Sequence, residues 1–215
     1  MAEYVFFDLD GTLTDPALGI TNCIMYALSE MGKEIPPRES LYKFIGPPLL
    51  DAFQEYLGMT EEEAREAIRL YRVRFSTVGL FENTPYEGIA EALHEIKSSG
   101  KKLCLATSKP EEFAVRILEH FDLAKYFDKA CGASMNEKRS TKDAVIKYAI
   151  EETGCKAEDV LMIGDRHHDI VGAAVHGIDA MGVLWGYGSR EEFEESGAKY
   201  IVSSIPEMVE IVKSL

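Results

Sequence analysis

Five apolar runs of strand length, KLCLATS, KACGAS, DVLMIGD, DAMGVLWG and KYIVSS, follow one another after Tyr86, with amphipathic stretches between them. Apolar strands alternating with helical patterns mark βαβ units, whose strands lie parallel and are covered by helices on both faces. A sixth run, Tyr4 to Asp8, has the same character: large apolar residues without polar alternation, as a strand buried on both faces requires. Between Pro16 and Leu80 the texture changes. Helical patterns over Ile20 to Met31, Leu49 to Leu57 and Thr60 to Val78 are broken by Gly32, Pro36, Pro37, Pro47, Pro48 and Gly58, with no strand pattern among them. The expected fold is α/β, with a discontinuous parallel-sheet core over residues 1–15 and 81–215 and an inserted helical-bundle cap over residues 16–80.

A chain of 215 residues with 46% hydrophobic content can bury one large core with an insertion. A formal net charge of -14 opposes extended contact with nucleic-acid polymers or anionic membranes, so an anionic substrate must be met by local positive charge. Cys23, Cys104, Cys131 and Cys155 are scattered without metal-ligand spacing, which predicts buried free thiols and a reducing, cytoplasmic setting. The amino terminus lacks the pattern of an export signal, and no uncharged apolar run approaches spanning length. The expectation is a monomer or homodimer that spans no membrane.

The first strand runs into FFDLDGTLTD, where Asp8 and Asp10, two residues apart, address one point beyond the strand end. Two unit charges about 4 Å apart repel by about 4 kcal/mol at an effective dielectric of about 20, so such a pair needs a proton or a cation. DVLMI leads into GDRHHD, which adds Asp165 and Asp169. Asp8, Asp10 and Asp165 make a hard oxygen set that selects magnesium, while Asp169 holds a metal-bound water, a lysine, or simply the helix N-terminus. The adjacent His167 and His168 read as solvent-facing loop residues rather than zinc ligands, since neighbouring histidines do not readily face one metal.

LCLATSKPEE ends a further strand. Ser108 stands three residues before Glu111, as in a capping box, and the start of the following helix, with Thr107 and Ser108 beside it, is a candidate anion site. A later helix, entered through Ser140 or Thr141 and closed by Gly154, carries Lys142 in its first turn. A lysine there opposes the helix dipole at a cost of about 0.3–1 kcal/mol, which a nearby anion would offset. Lys142 is favoured on that ground over Lys138 and Lys147.

Taken in order, DLDGTLTD, the Thr107 of LATS, Lys142 and GDRHHD resemble the four motifs of the haloacid dehalogenase (HAD) superfamily of phosphatases, including a helical cap after the first motif. The resemblance implies a Rossmann-like core and assigns Asp8 as nucleophile forming an aspartyl phosphate, with Asp10 as acid and base. It places Mg2+ on Asp8, the Asp10 carbonyl and Asp165, and the transferring phosphoryl group on Thr107 and Lys142. Dehalogenating members lack the equivalent of Asp10 and the metal-binding set, both of which are present here. FIGPPLLDAF and GVLWGYGSREEFEESGAKYIVSS look most like phosphoglycolate phosphatases and 5'-nucleotidase-like enzymes, which implies a small phosphorylated metabolite as substrate. A phosphomutase and a non-catalytic metal- and phosphate-binding module are the alternatives.

In the cap, Ala64, Ala67, Ile68, Tyr71, Phe75 and Val78 share one helical face. Arg65, Arg69 and Arg72 lie on the solvated side. Arg74 falls nearer the apolar face, placed either to reach a substrate anion or to snorkel to solvent. The Gly46-Pro47-Pro48 turn is a second candidate for substrate selection.

Overall fold

The computed structural model describes residues 2–136 and 138–215. In chain order the elements are β1 (Tyr4–Phe7), β2 (Thr14–Asp15), α1 (Ala17–Glu30), α2 (Leu49–Leu57), α3 (Glu61–Arg74), β3 (Thr84–Pro85), α4 (Ile89–Ser98) and β4 (Lys102–Pro110). They continue with α5 (Glu111–His120), β5 (Lys129–Ala133), α6 (Lys142–Thr153), β6 (Val160–Gly164), α7 (His167–Ala174), β7 (Asp179–Val183), α8 (Arg190–Glu195), β8 (Tyr200–Val202) and α9 (Ile205–Ser214). Residues Met1–Thr14 and Pro85–Leu215 form one compact unit and Asp15–Thr84 another. The chain passes between them at β2 and β3.

In the larger unit, six strands form one parallel sheet in the order β5-β4-β1-β6-β7-β8. The chain builds outward on one side of β1 and then on the other, so the strand order reverses between β1 and β6. In open parallel sheets the crevice at such a reversal, beyond the carboxyl ends of the strands, is where ligands bind. Both faces of β1 are covered, and Val5, Phe6 and Phe7 are all fully buried. Phe6 packs into a cluster with Cys104, Met162, Val145 and Ile146 of α6 and Ile170 of α7. Phe7, one residue out of phase, turns to the opposite face and meets Phe127 edge-on at 6.2 Å.

The smaller unit is helical, as its breakers require. α3 opens on a capping box in which Thr60 and Glu63 exchange hydrogen bonds. Expected as one helix to Val78, it departs at Arg74 into a π-helical turn over Phe75–Gly79. Tyr71 and Phe75 stack there at 5.1 Å. Ile24, Leu41, Phe44, Phe53, Ala64 and Ala67 are buried in the same unit.

Phe6 is fully buried on a central strand of the sheet. Phe6→Ala is expected to lower unfolding free energy by about 3–5 kcal/mol in a urea titration. A loss below about 1 kcal/mol would mean that β1 is not the spine of the core.

Candidate active site

β1 ends at Phe7, and the next backbone bond, from Asp8 N to Ile163 O at 2.9 Å, still belongs to the ladder with β6. Asp8 therefore emerges from the sheet with its direction fixed. The chain then tightens: Thr14 O accepts from Gly11 N at 2.8 Å, and Gly11 adopts a φ of +82°. A side chain at Gly11 is doubly excluded, because its Cβ would lie 2.0 Å from Asp165 Oδ2. This close passage brings the loop after β1 against the loop after β6.

The site collects at the carboxyl ends of β4, β1 and β6. Asp8, Thr107, Lys109, Lys142, Asp165 and Asp169 are buried there, and Asp10 is nearly so. Lys142 Nζ lies 2.9 Å from Asp8 Oδ1 and 2.7 Å from Asp169 Oδ1, as ion pairs, and donates to Ala106 O at 3.1 Å. Burial works against its charge, but Asp169 and Asp8 more than offset that and hold its pKa above the ordinary lysine range. Lys142 thus stays an ammonium beside Asp8, at the first residue of α6, whose carboxyl end is closed by Gly154.

Asp169 uses both oxygens within the protein: Oδ1 faces Lys142 and Oδ2 accepts from Arg166 N at 3.1 Å. Of the readings open for it, the structure displays the lysine partner and the helix-end role together. Burial raises its carboxyl to about 6, with Lys142 opposing and Asp8 adding to the shift. Asp165 accepts from Tyr187 N at 2.9 Å through Oδ2, while its buried Oδ1 meets no donor among the described residues. Burial, then the charges of Asp169 and Asp8, push its pKa well above the ordinary range. Asp10 is raised too, by burial, with Lys109 opposing.

Four carboxylates, Asp8, Asp10, Asp165 and Asp169, thus meet two ammonium groups, Lys109 and Lys142. Fully ionised, the cluster keeps two uncompensated negative charges in a low-dielectric pocket. One oxygen from each of Asp8, Asp165 and Asp169 lies within 4.8 Å of the others. An all-oxygen donor set, an orphaned Asp165 oxygen and a net double negative charge fit a hard divalent cation.

Thr107 lies in β4, and its Oγ1 accepts from Lys109 N at 3.2 Å, which leaves the hydroxyl proton to donate elsewhere. Ser108 does not cap α5 as its spacing predicts. β4 runs on through Pro110, which precedes α5, and the Glu111 carboxylate is taken by Gly132 N and Arg139. His167 and His168 are not loop residues either, since they form the first turn of α7. Glu192 anchors that turn, accepting from His167 N at 2.6 Å and Arg166 Nε at 3.0 Å. Burial, with His167 and Arg166 nearby, lowers His168 to about 4, so it is neutral at neutral pH.

Two substrate candidates lie in the smaller unit. Gly46 turns the chain at φ +106° ahead of Pro47, Pro48 and α2. Arg74 is held by Glu82 through a two-point pair, 2.6 and 2.8 Å, and also approaches Cys23 Sγ at 3.3 Å. Its charge is thereby matched within its own unit.

Sequence reasoning passed over Lys109, whose Nζ pairs with Asp10 Oδ2, and Glu192 and the Tyr187 amide, which secure the loop after β6. Lys109 carried one usable signal, an apolar strand leading directly to a lysine at a site short of positive charge. Glu192 and Tyr187 carried none, being distant in sequence.

A family model described as haloacid dehalogenase-like hydrolase matches residues 5–183. A 5'-nucleotidase of Pseudomonas aeruginosa is 39% identical over 98% of this chain and 95% of its own length. A protein of Mycobacterium tuberculosis named tyrosine-protein kinase PtkA is 37% identical over 99% of this chain and 72% of its own. The crystal structure of a predicted phosphatase from Clostridium acetobutylicum superposes with a TM-score of 0.96 at 46% identity, covering all of both chains. With the parallel sheet, the carboxylate cluster and a family match spanning most of the core, the chain belongs to the haloacid dehalogenase-like hydrolases.

Proposed function

We propose that this protein is a magnesium-dependent phosphatase that hydrolyses a small phosphomonoester, of phosphoglycolate or nucleotide type, through an aspartyl phosphate on Asp8. The observation that carries this reading is the Lys142 ammonium set between Asp8 and Asp169, with Asp10 beside them. It sets an ammonium against the Asp8 carboxylate and places a fixed positive charge where phosphoryl oxygens would accumulate negative charge.

Asp8 attacks phosphorus in line and the ester oxygen departs with a proton from Asp10. Asp10 then takes a proton from the water that attacks the aspartyl phosphate, which restores both carboxyl groups. Thr107 Oγ1 and Lys142 Nζ hold the transferring phosphoryl oxygens. Mg2+, held by Asp8, Asp165 and the Asp10 carbonyl, would neutralise charge on the phosphoryl group when bound. Most of the acceleration is then positioning and charge neutralisation, as phosphoryl transfer demands.

A second reading, transfer to an acceptor hydroxyl instead of water, is favoured by the relative named tyrosine-protein kinase PtkA and would extend to a phosphomutase. A phosphomonoester panel with magnesium separates the two. Stoichiometric free phosphate supports hydrolysis, whereas a phosphorylated acceptor or isomer without free phosphate supports transfer.

Asp8→Asn is expected to reduce phosphate release by roughly 10⁴-fold or more. Release at the wild-type rate would contradict the nucleophile assignment. The metal assignment makes a separate, pH-dependent prediction. Asp10, Asp165 and Asp169 have folded pKa values above the unfolded one, so the metal-free fold is favoured at low pH and loses stability as pH rises and they ionise, Asp169 at about 6. Mg2+ binds the ionised forms, so the Tm increase it confers is expected to be larger near about pH 7.5 than near about pH 5. Equal increases at both would contradict the assignment.

A further inference from the structure

Lys109 is 8% exposed, and its ammonium pairs with Asp10 Oδ2 in a pocket where the two side chains are 5% and 14% exposed. The local backbone is built to put it there. The β4–β5 register is regular up to Thr107 opposite Gly132, and the next pair is Pro110 opposite Ala133. Ser108 and Lys109 therefore fall in a shift of register, the kind of irregularity that re-aims a side chain near a site. Pro110 restricts the residue before it to extended backbone, which keeps Lys109 from entering α5. Gly132 makes room for the detour, since a Cβ there would stand 2.7 Å from Lys109 O and 2.6 Å from Glu111 Cα.

The consequence falls on Asp10. One of its oxygens, Oδ2, is tied to Lys109, while the other, Oδ1, is buried without a hydrogen-bond donor among the described residues. A carboxyl group free to rotate presents either oxygen in many directions. One clamped at a single oxygen presents the other in one direction, which is what proton transfer at a fixed distance requires.

We propose that Lys109 is a positioning residue that clamps Asp10 Oδ2 so that Oδ1 delivers the proton to the departing ester oxygen. This rests on the phosphatase reading above and adds to it a residue that touches neither phosphorus nor metal in the proposed step. As the Asp8–phosphorus bond forms and the ester P–O bond breaks, the electron pair stays on the ester oxygen and the Oδ1 proton joins it.

The test uses the leaving group. An alkyl phosphate, such as glycerol phosphate or a nucleoside 5'-monophosphate, needs that proton, whereas p-nitrophenyl phosphate departs without it. Lys109→Met in the full-length enzyme is expected to lower kcat/KM for the alkyl ester by roughly 10²-fold or more and for the aryl ester by less than about 3-fold, approaching the selectivity of Asp10→Asn. Lys109→Gln, which keeps a donor, is expected to repeat the pattern with a smaller loss and reads the same ratio if the methionine variant does not fold. Equal losses on both esters with a raised KM would overturn the proposal and make Lys109 a phosphate-binding group. Unchanged kcat/KM on both would overturn it as well. Asp8→Asn run alongside separates this from failure of the functional reading, because hydrolysis that survives Asp8→Asn defeats that reading whatever Lys109 does.

Discussion

Mutual repulsion among Asp8, Asp10, Asp165 and Asp169 is the constraint that the rest of the site answers. Each would be unremarkable in water. At the ends of β1 and β6, burial and then the neighbouring carboxylates raise the pKa of Asp165, burial raises Asp10 and Asp169 despite their lysine partners, and Asp165 keeps an oxygen that meets no donor among the described residues. The chain counters with two buried lysines, one backbone amide from Tyr187 and another from Arg166. The charge left over is that which a divalent cation would match.

The fold assembles this cluster from five elements, with Asp8 and Asp10 sharing the end of β1. Asp8 leaves β1, Lys109 leaves the irregular end of β4, Lys142 opens α6, Asp165 follows β6 and Asp169 sits in the first turn of α7. The reversal of strand order between β1 and β6 opens the crevice there. Lys142 shows how local and global demands trade. It opposes the α6 dipole, at about 0.3–1 kcal/mol. Two carboxylates offset that, and the shared cluster of Phe6, Val145 and Ile170 holds α6 and α7 against β1 so that the three groups meet.

Much of this was legible in the sequence because it is written locally. β1, β4, β6 and β7 are largely buried apolar runs, the edge strands β5 and β8 are partly so, and the helices between them have ordinary breakers, so the α/β class follows from pattern alone. Asp8, Asp10 and Asp165 stand at strand ends, where two-residue periodicity and turn residues point. What sequence missed depends on contacts between distant segments. Ser108 looked like a cap because it precedes Glu111 by three, but Glu111 is drawn to Gly132 and Arg139 and β4 runs on to Pro110. His167 and His168 looked like loop residues because nothing nearby announces Glu192, which anchors their helical turn. Lys109 was passed over, since the β4 irregularity accommodated by Gly132 that turns it toward Asp10 has no local signature.

The central claim is that Asp8, paired with Lys142, takes the phosphoryl group covalently. It is tested most directly in the Asp10→Asn variant, where loss of the base slows hydrolysis of any covalent intermediate. Mixed with magnesium and an aryl phosphomonoester, then quenched in acid, that variant should show by intact mass and peptide mapping a single phosphoryl group on Asp8. Rapid release of the aryl alcohol with no phosphoryl group on Asp8, or with the label on another residue, would contradict the account.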